Sequence, residues 1–83
     1  MGLPSQPVTL TPEQLKALNE HLSTMRHDIN NYLSLLVAAS ELIRFKPQAA
    51  EKMLGTMAEQ PTKISTALNK FTAEFEKTLG ITR

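Results

Sequence analysis

Nine apolar residues, Leu15, Leu18, Leu22, Met25, Ile29, Tyr32, Leu36, Ala39 and Ile43, follow one another at spacings that alternate three and four. Such a seam keeps one face of an α-helix apolar for four heptads and is incompatible with the two-residue period of a strand. Leu33, Leu35 and Leu42 flank the seam at e and g positions. They widen the stripe beyond what a two-stranded coil needs, as in a helix with neighbours on two sides. The start of the helix is marked four times over. Thr11 is placed as an N-cap, Pro12 at the first helical position, Gln14 as the return partner of a capping box, and Leu10 and Leu15 as a hydrophobic staple.

The break comes at Phe45-Lys46-Pro47. Proline disfavours helical geometry at the residue before it and suits the start of a new helix. The first helix is therefore expected over 12–44 and a second over 47–79, with Gly80 as its stop. The second seam reads Ala50, Leu54, Met57, Pro61, Ile64, Leu68, Phe71 and Phe75. Pro61 removes a backbone hydrogen bond, so a kink is expected near it. A single kinked helix is preferred to two, because Met57 and Ile64 keep the same heptad phase across the proline. The short connection makes the two helices antiparallel neighbours. Residues 1–10, with Pro4 and Pro7, read as a flexible arm, residues 11–80 as the helical-hairpin domain, and 81–83 as a tail.

At 83 residues the chain has room for one small domain, and 41% hydrophobic with 20% charged residues indicates a folded one. A lone hairpin of this length leaves its apolar stripe half uncovered, and small cores are marginal alone. The expected fold is all-α: an antiparallel two-helix hairpin that forms a homodimeric four-helix bundle. Nine Lys and Arg against eight Asp and Glu leave a formal charge of +1, which argues against nucleic-acid binding. The absence of Cys excludes disulfides and thiolate metal sites. The longest apolar run, Leu35 to Ala39, is far too short to span a membrane, and neither a secretory signal nor a myristoylation pattern is present. A cytoplasmic location without membrane contact is expected.

One stretch carries chemistry. With Met25 at d and Ile29 at a, His27 falls at f and points away from the core. Glu20, Asn31 and Ser34 lie within about 40° of it on the same outer face, and Thr24 and Asn30 within about 60°. A solvated imidazole is partly neutral at pH 7 and is then a nucleophile towards phosphorus. Asp28 beside it is placed to hydrogen-bond a ring nitrogen and stabilise the positive charge formed on attack. Asn31, one turn on, is placed to bond a phosphoryl group or orient a water. An exposed histidine on an amphipathic helix is ordinarily just a solvated residue. Two successive asparagines in mid-helix are the odder feature, since Asn is a mediocre helix former.

The run His27-Asp28-Ile29-Asn30-Asn31-Tyr32-Leu33 resembles the box of the dimerisation and histidine-phosphotransfer domain of sensor histidine kinases. In that family His is followed by an acid, two variable residues and Asn or Thr. The resemblance extends to the long helix, tight turn and second long helix over roughly residues 11–80. It departs at Tyr32, where the family often has proline. The resemblance implies that His27 is the phosphoacceptor, Asp28 its acid/base neighbour, and Asn31 a residue of autophosphorylation or phosphatase geometry. It implies a homodimer that takes phosphate from a separate ATP-binding kinase domain and passes it to an Asp of a response-regulator receiver domain. The partner surface is then expected around His27 and towards the turn, at Asn30, Ser34, Val37, Ala38 and Glu41. ATP and Mg²⁺ would be held by those partner domains. No cofactor is expected here, because Gly2, Gly55 and Gly80 are isolated and form no phosphate loop. The chain is then either a piece of a larger kinase or a module served in trans. The alternative is a non-catalytic dimerisation scaffold or adaptor.

Other constellations carry less. His21 and His27 are about 240° apart around the helix and cannot share a metal from it. His21, at g, reads as a flanking interface residue. Met25, Met53 and Met57 read as core filler. Lys52, Lys63, Lys70 and Lys77 read as a solvated face.

Overall fold

The computed structural model describes residues 4–80. Helix α1 spans Pro12–Phe45, a short 3-10 turn spans Pro47–Ala49, and helix α2 spans Ala50–Leu79. The expected tail lies outside the described residues. Residues 4–10 form no helix or strand and are mostly exposed.

Local chemistry sets each boundary. The Gln14 backbone N–H donates to Thr11 Oγ1 at 3.1 Å, and the Thr11 N–H donates to Gln14 Oε1 at 2.9 Å. This closed capping box satisfies two donors that the first turn would otherwise leave open. Leu15 stays 54% exposed, so an apolar staple adds little there. At the turn the Lys46 N–H donates to the Leu42 carbonyl at 2.7 Å, and the Ala49 N–H to the Lys46 carbonyl at 2.8 Å. Gly80 ends α2 in the left-handed region at φ 68°, its N–H shared between the Glu76 and Lys77 carbonyls. That conformation costs glycine nothing and other residues more. α2 runs through Pro61 as one helix.

The two helices lie antiparallel and pack along their length. The hairpin measures 57 × 25 × 12 Å. Its thinnest dimension is the diameter of one helix, so the molecule is a single layer. A single layer has no enclosed centre. Among the described residues only Ala39 (4% exposed) and Gln60 (1%) are fully buried, one from each helix.

On α1 the expected seam is the packed one: Leu18, Leu22, Met25, Ile29, Tyr32, Leu36 and Ile43 are half-buried around Ala39. Leu15, at its outer end, is not. On α2 the expected seam is packed in part: Ala50, Met57, Ile64, Phe71 and Phe75 are half-buried, but three of its members are not. Leu54 is 58% and Leu68 45% exposed, and Pro61 is exposed as well. The most buried position is Gln60, with Met53, Ile64, Ala67 and Phe71 half-buried on the same side. The physical reason is width. The apolar stripe of α2 is broader than one neighbour covers, and α1 takes one flank of it. Phe71 and Phe75 meet one turn apart, with ring centroids at 6.1 Å.

The hairpin consequently has two unlike edges. On one edge His21, Asp28 and Tyr32 of α1 face Lys63, Lys70 and Glu74 of α2. Leu54, Pro61 and Leu68 are rotated from Gln60 in the opposite sense from Lys63 and Lys70, by about 80–120°. Leu15 and Leu33 are displaced likewise on α1, by about 80° from Met25. In an antiparallel pair these displacements fall on the same side, so the second edge is lined by exposed apolar residues.

Candidate functional site

The heptad frame of α1 fixes where the His27 box points. Met25 and Ile29 face α2, which turns His27 outward. Its side chain is 85% exposed. Its Nδ1 lies 3.7 Å from Asp28 Oδ1, within ion-pair range but longer than a hydrogen bond. The direct bond expected from the sequence is therefore not formed in this state. Asp28 is less exposed, at 43%, because its position leans towards α2. It borders a small cleft with His21, Thr24 and Met25 on its own helix and Lys70 and Phe71 across. Asn31 is exposed one turn beyond His27. Its carboxamide makes no hydrogen bond to any described residue, so it is free to meet a ligand. The arrangement is an accessible nucleophile, a carboxylate at its side and an amide at its far side.

Asn30, Ser34, Val37, Ala38 and Glu41 come together. With Leu33 they line one open depression on the outer face of α1, running from the level of His27 towards the turn. Ser34 Oγ donates to the Asn30 carbonyl at 2.9 Å, which ties that hydroxyl back to the helix. Val37 is 57% and Leu33 46% exposed. The depression is thus apolar in the middle, with a carboxylate at one end and an amide at the other.

His21 flanks the interface as expected, and its partner there is Glu74 of α2, whose Oε2 lies 3.7 Å from its Nε2. One feature escaped the sequence reading. The lysines of α2 are not merely a solvated face. Lys63 and Lys70 share a cleft with Asp28, Tyr32, Thr62 and Thr66. Their seven-residue spacing was the available signal, but only the antiparallel register shows what faces them. Among the described residues no group of His, Asp or Glu is placed to hold a metal ion, and no helix is long and apolar enough to cross a membrane.

Comparison of the chain with protein-family models, with curated proteins and with solved structures finds no match.

Proposed function

We propose that this hairpin is the phosphoacceptor domain of a two-component signalling system. It takes phosphate on His27 from an ATP-binding kinase domain and passes it to a receiver-domain aspartate. The observation that carries this reading is the outward placement of His27 beside Asp28, with a free Asn31 one turn on. Because Nδ1 is the nitrogen near Asp28, Nε2 is the nucleophile. Its lone pair forms the N–P bond as the bond from the γ-phosphorus to the bridging oxygen of ATP breaks and ADP leaves. The Nδ1 proton then passes to Asp28 or to water. In the second step an aspartate oxygen of the receiver forms the O–P bond, the N–P bond breaks, and the ring recovers its proton.

The apolar edge with Leu15, Leu33, Leu54 and Leu68 supports a homodimeric four-helix bundle. A one-layer hairpin has nowhere else to bury those side chains. The depression at Asn30, Ser34, Val37, Ala38 and Glu41 is the docking surface for the receiver in this reading, and the module is cytoplasmic.

Phosphoramidate and a His27→Gln control test the chemistry. Acid-labile, base-stable phosphate on His27 by mass spectrometry, absent from the control and removed by a receiver domain with Mg²⁺, is the expected result. A folded dimer that takes no phosphate from phosphoramidate, or from a kinase domain with ATP, makes the hairpin a scaffold.

A further inference from the structure

The cleft between Tyr32 and Asp28 on α1 and Thr62, Lys63, Thr66 and Lys70 on α2 has a volume of about 270 Å³. A single water needs only ~10–15 Å³, so this is a wet cleft with room for a polyatomic ion. The neighbouring cleft at His21 and Thr24 is about 40 Å³, enough for a few waters only.

The larger cleft is lined by donors of which three are unengaged and one is weakly engaged. Lys70 makes no ion pair and no hydrogen bond among the described residues, and the hydroxyls of Tyr32 and Thr62 make no hydrogen bond. Among the described residues Lys63 has only Glu59, at 4.0 Å and with both side chains about half exposed or more. That contact is at the outer limit of an ion pair and is readily exchanged. The Thr66 hydroxyl donates to the Thr62 carbonyl at 2.9 Å, which leaves its lone pairs turned outward. Two ammonium groups and two free hydroxyls suit a tetrahedral oxyanion, for which charge-assisted bonds are the strong ones. Asp28 closes the cleft on the side of His27 and opposes the anion there.

We propose that this cleft binds a phosphate-class oxyanion, with Lys63 and Lys70 as the charge-bearing ligands and Tyr32 and Thr62 as hydroxyl donors. The site lies on the opposite side of Asp28 from the His27 ring. Its use in phosphoryl transfer rests on the function proposed above, but the binding itself does not. The oxyanion has two possible sources, a small phosphoryl compound or a phosphorylated group on a partner protein.

The test is a titration of the ¹⁵N-labelled full chain with inorganic phosphate, at constant ionic strength against chloride. Saturable amide shifts at residues 62, 63, 66 and 70 are expected. Lys70→Gln or Lys63→Gln should weaken binding about tenfold each. Asp28→Asn should tighten it, and Lys16→Gln should leave it unchanged. Equal shifts with chloride, or shifts shared equally with Lys16, Lys46 and Lys52, would overturn the proposal. A second arm separates the two sources. A slower reaction of Lys70→Gln with phosphoramidate at His27 assigns the site to the small compound. An unchanged rate with slower transfer to a receiver assigns it to the partner. If His27 takes no phosphate at all while phosphate still saturates the cleft, the transfer reading falls and the anion site stands.

Discussion

Gln60 Nε2 donates to the Thr56 carbonyl at 2.8 Å, and this bond turns the Gln60 side chain back along its own helix. The side chain is 1% exposed and its Oε1 has no hydrogen-bond partner among the described residues. One residue further, Pro61 has no N–H to give the Met57 carbonyl. Two weaknesses of α2 therefore fall in the same turn, at its most buried position.

An orphaned buried acceptor costs about 1–3 kcal/mol, whereas an apolar group of similar shape does not. Gln60→Met should therefore raise stability by about 1–2 kcal/mol, read as a higher urea midpoint with an unchanged m-value. Pro61→Ala should stabilise α2 further, by up to about 3 kcal/mol. A lower midpoint for Gln60→Met would mean that the orphan oxygen finds a partner in solution.

Thr11→Ala removes the acceptor for the Gln14 N–H and opens the capping box. The expected loss is about 1 kcal/mol. Hydrogen exchange should quicken at residues 13–15 and stay as in the parent beyond residue 20.

His21 and Glu74 are joined across the helices, but both side chains are more than a third exposed. A pair of this kind contributes roughly 0–1 kcal/mol. The double-mutant cycle of His21→Gln with Glu74→Gln should give a coupling below about 1 kcal/mol that shrinks further in 1 M salt.

Leu54→Glu and Leu68→Glu place charge on the apolar edge without touching the packed face of α2. Light scattering should report a dimer for the parent and a monomer for the double variant, with α-helical circular dichroism reduced in the variant. A parent that is monomeric at hundreds of micromolar would sink the bundle reading.

Much of the chain's punctuation was legible because it is local. Thr11 with Gln14, and Gly80, act within one turn and are used where the sequence places them, whereas Pro47 opens a 3-10 turn and α2 begins at Ala50, three residues later than the sequence reading has it. The face of α1 was legible for a different reason: its seam is dense enough to have one centre. The face of α2 was legible only in part, at Ala50, Met57, Ile64, Phe71 and Phe75. Leu54, Pro61 and Leu68 form a plausible seam, and hydropathy cannot say which flank of a wide stripe the chain's own partner takes. Gln60, the most buried side chain, gives no apolar signal at all. His27 was legible as an outward residue because Met25 and Ile29 fix the phase around it. Lys63 and Lys70 read as a solvated face because Asp28 and Tyr32, which line the same cleft, lie on the other helix, and only the register brings the four together.

A body one helix thick has almost no residue that is safe from its surroundings. Its folding free energy is then shared with whatever lies against its edge, because a partner that binds only the folded form raises stability in proportion to the logarithm of its concentration. The lifetime of such a chain in a cell would track the abundance of its company.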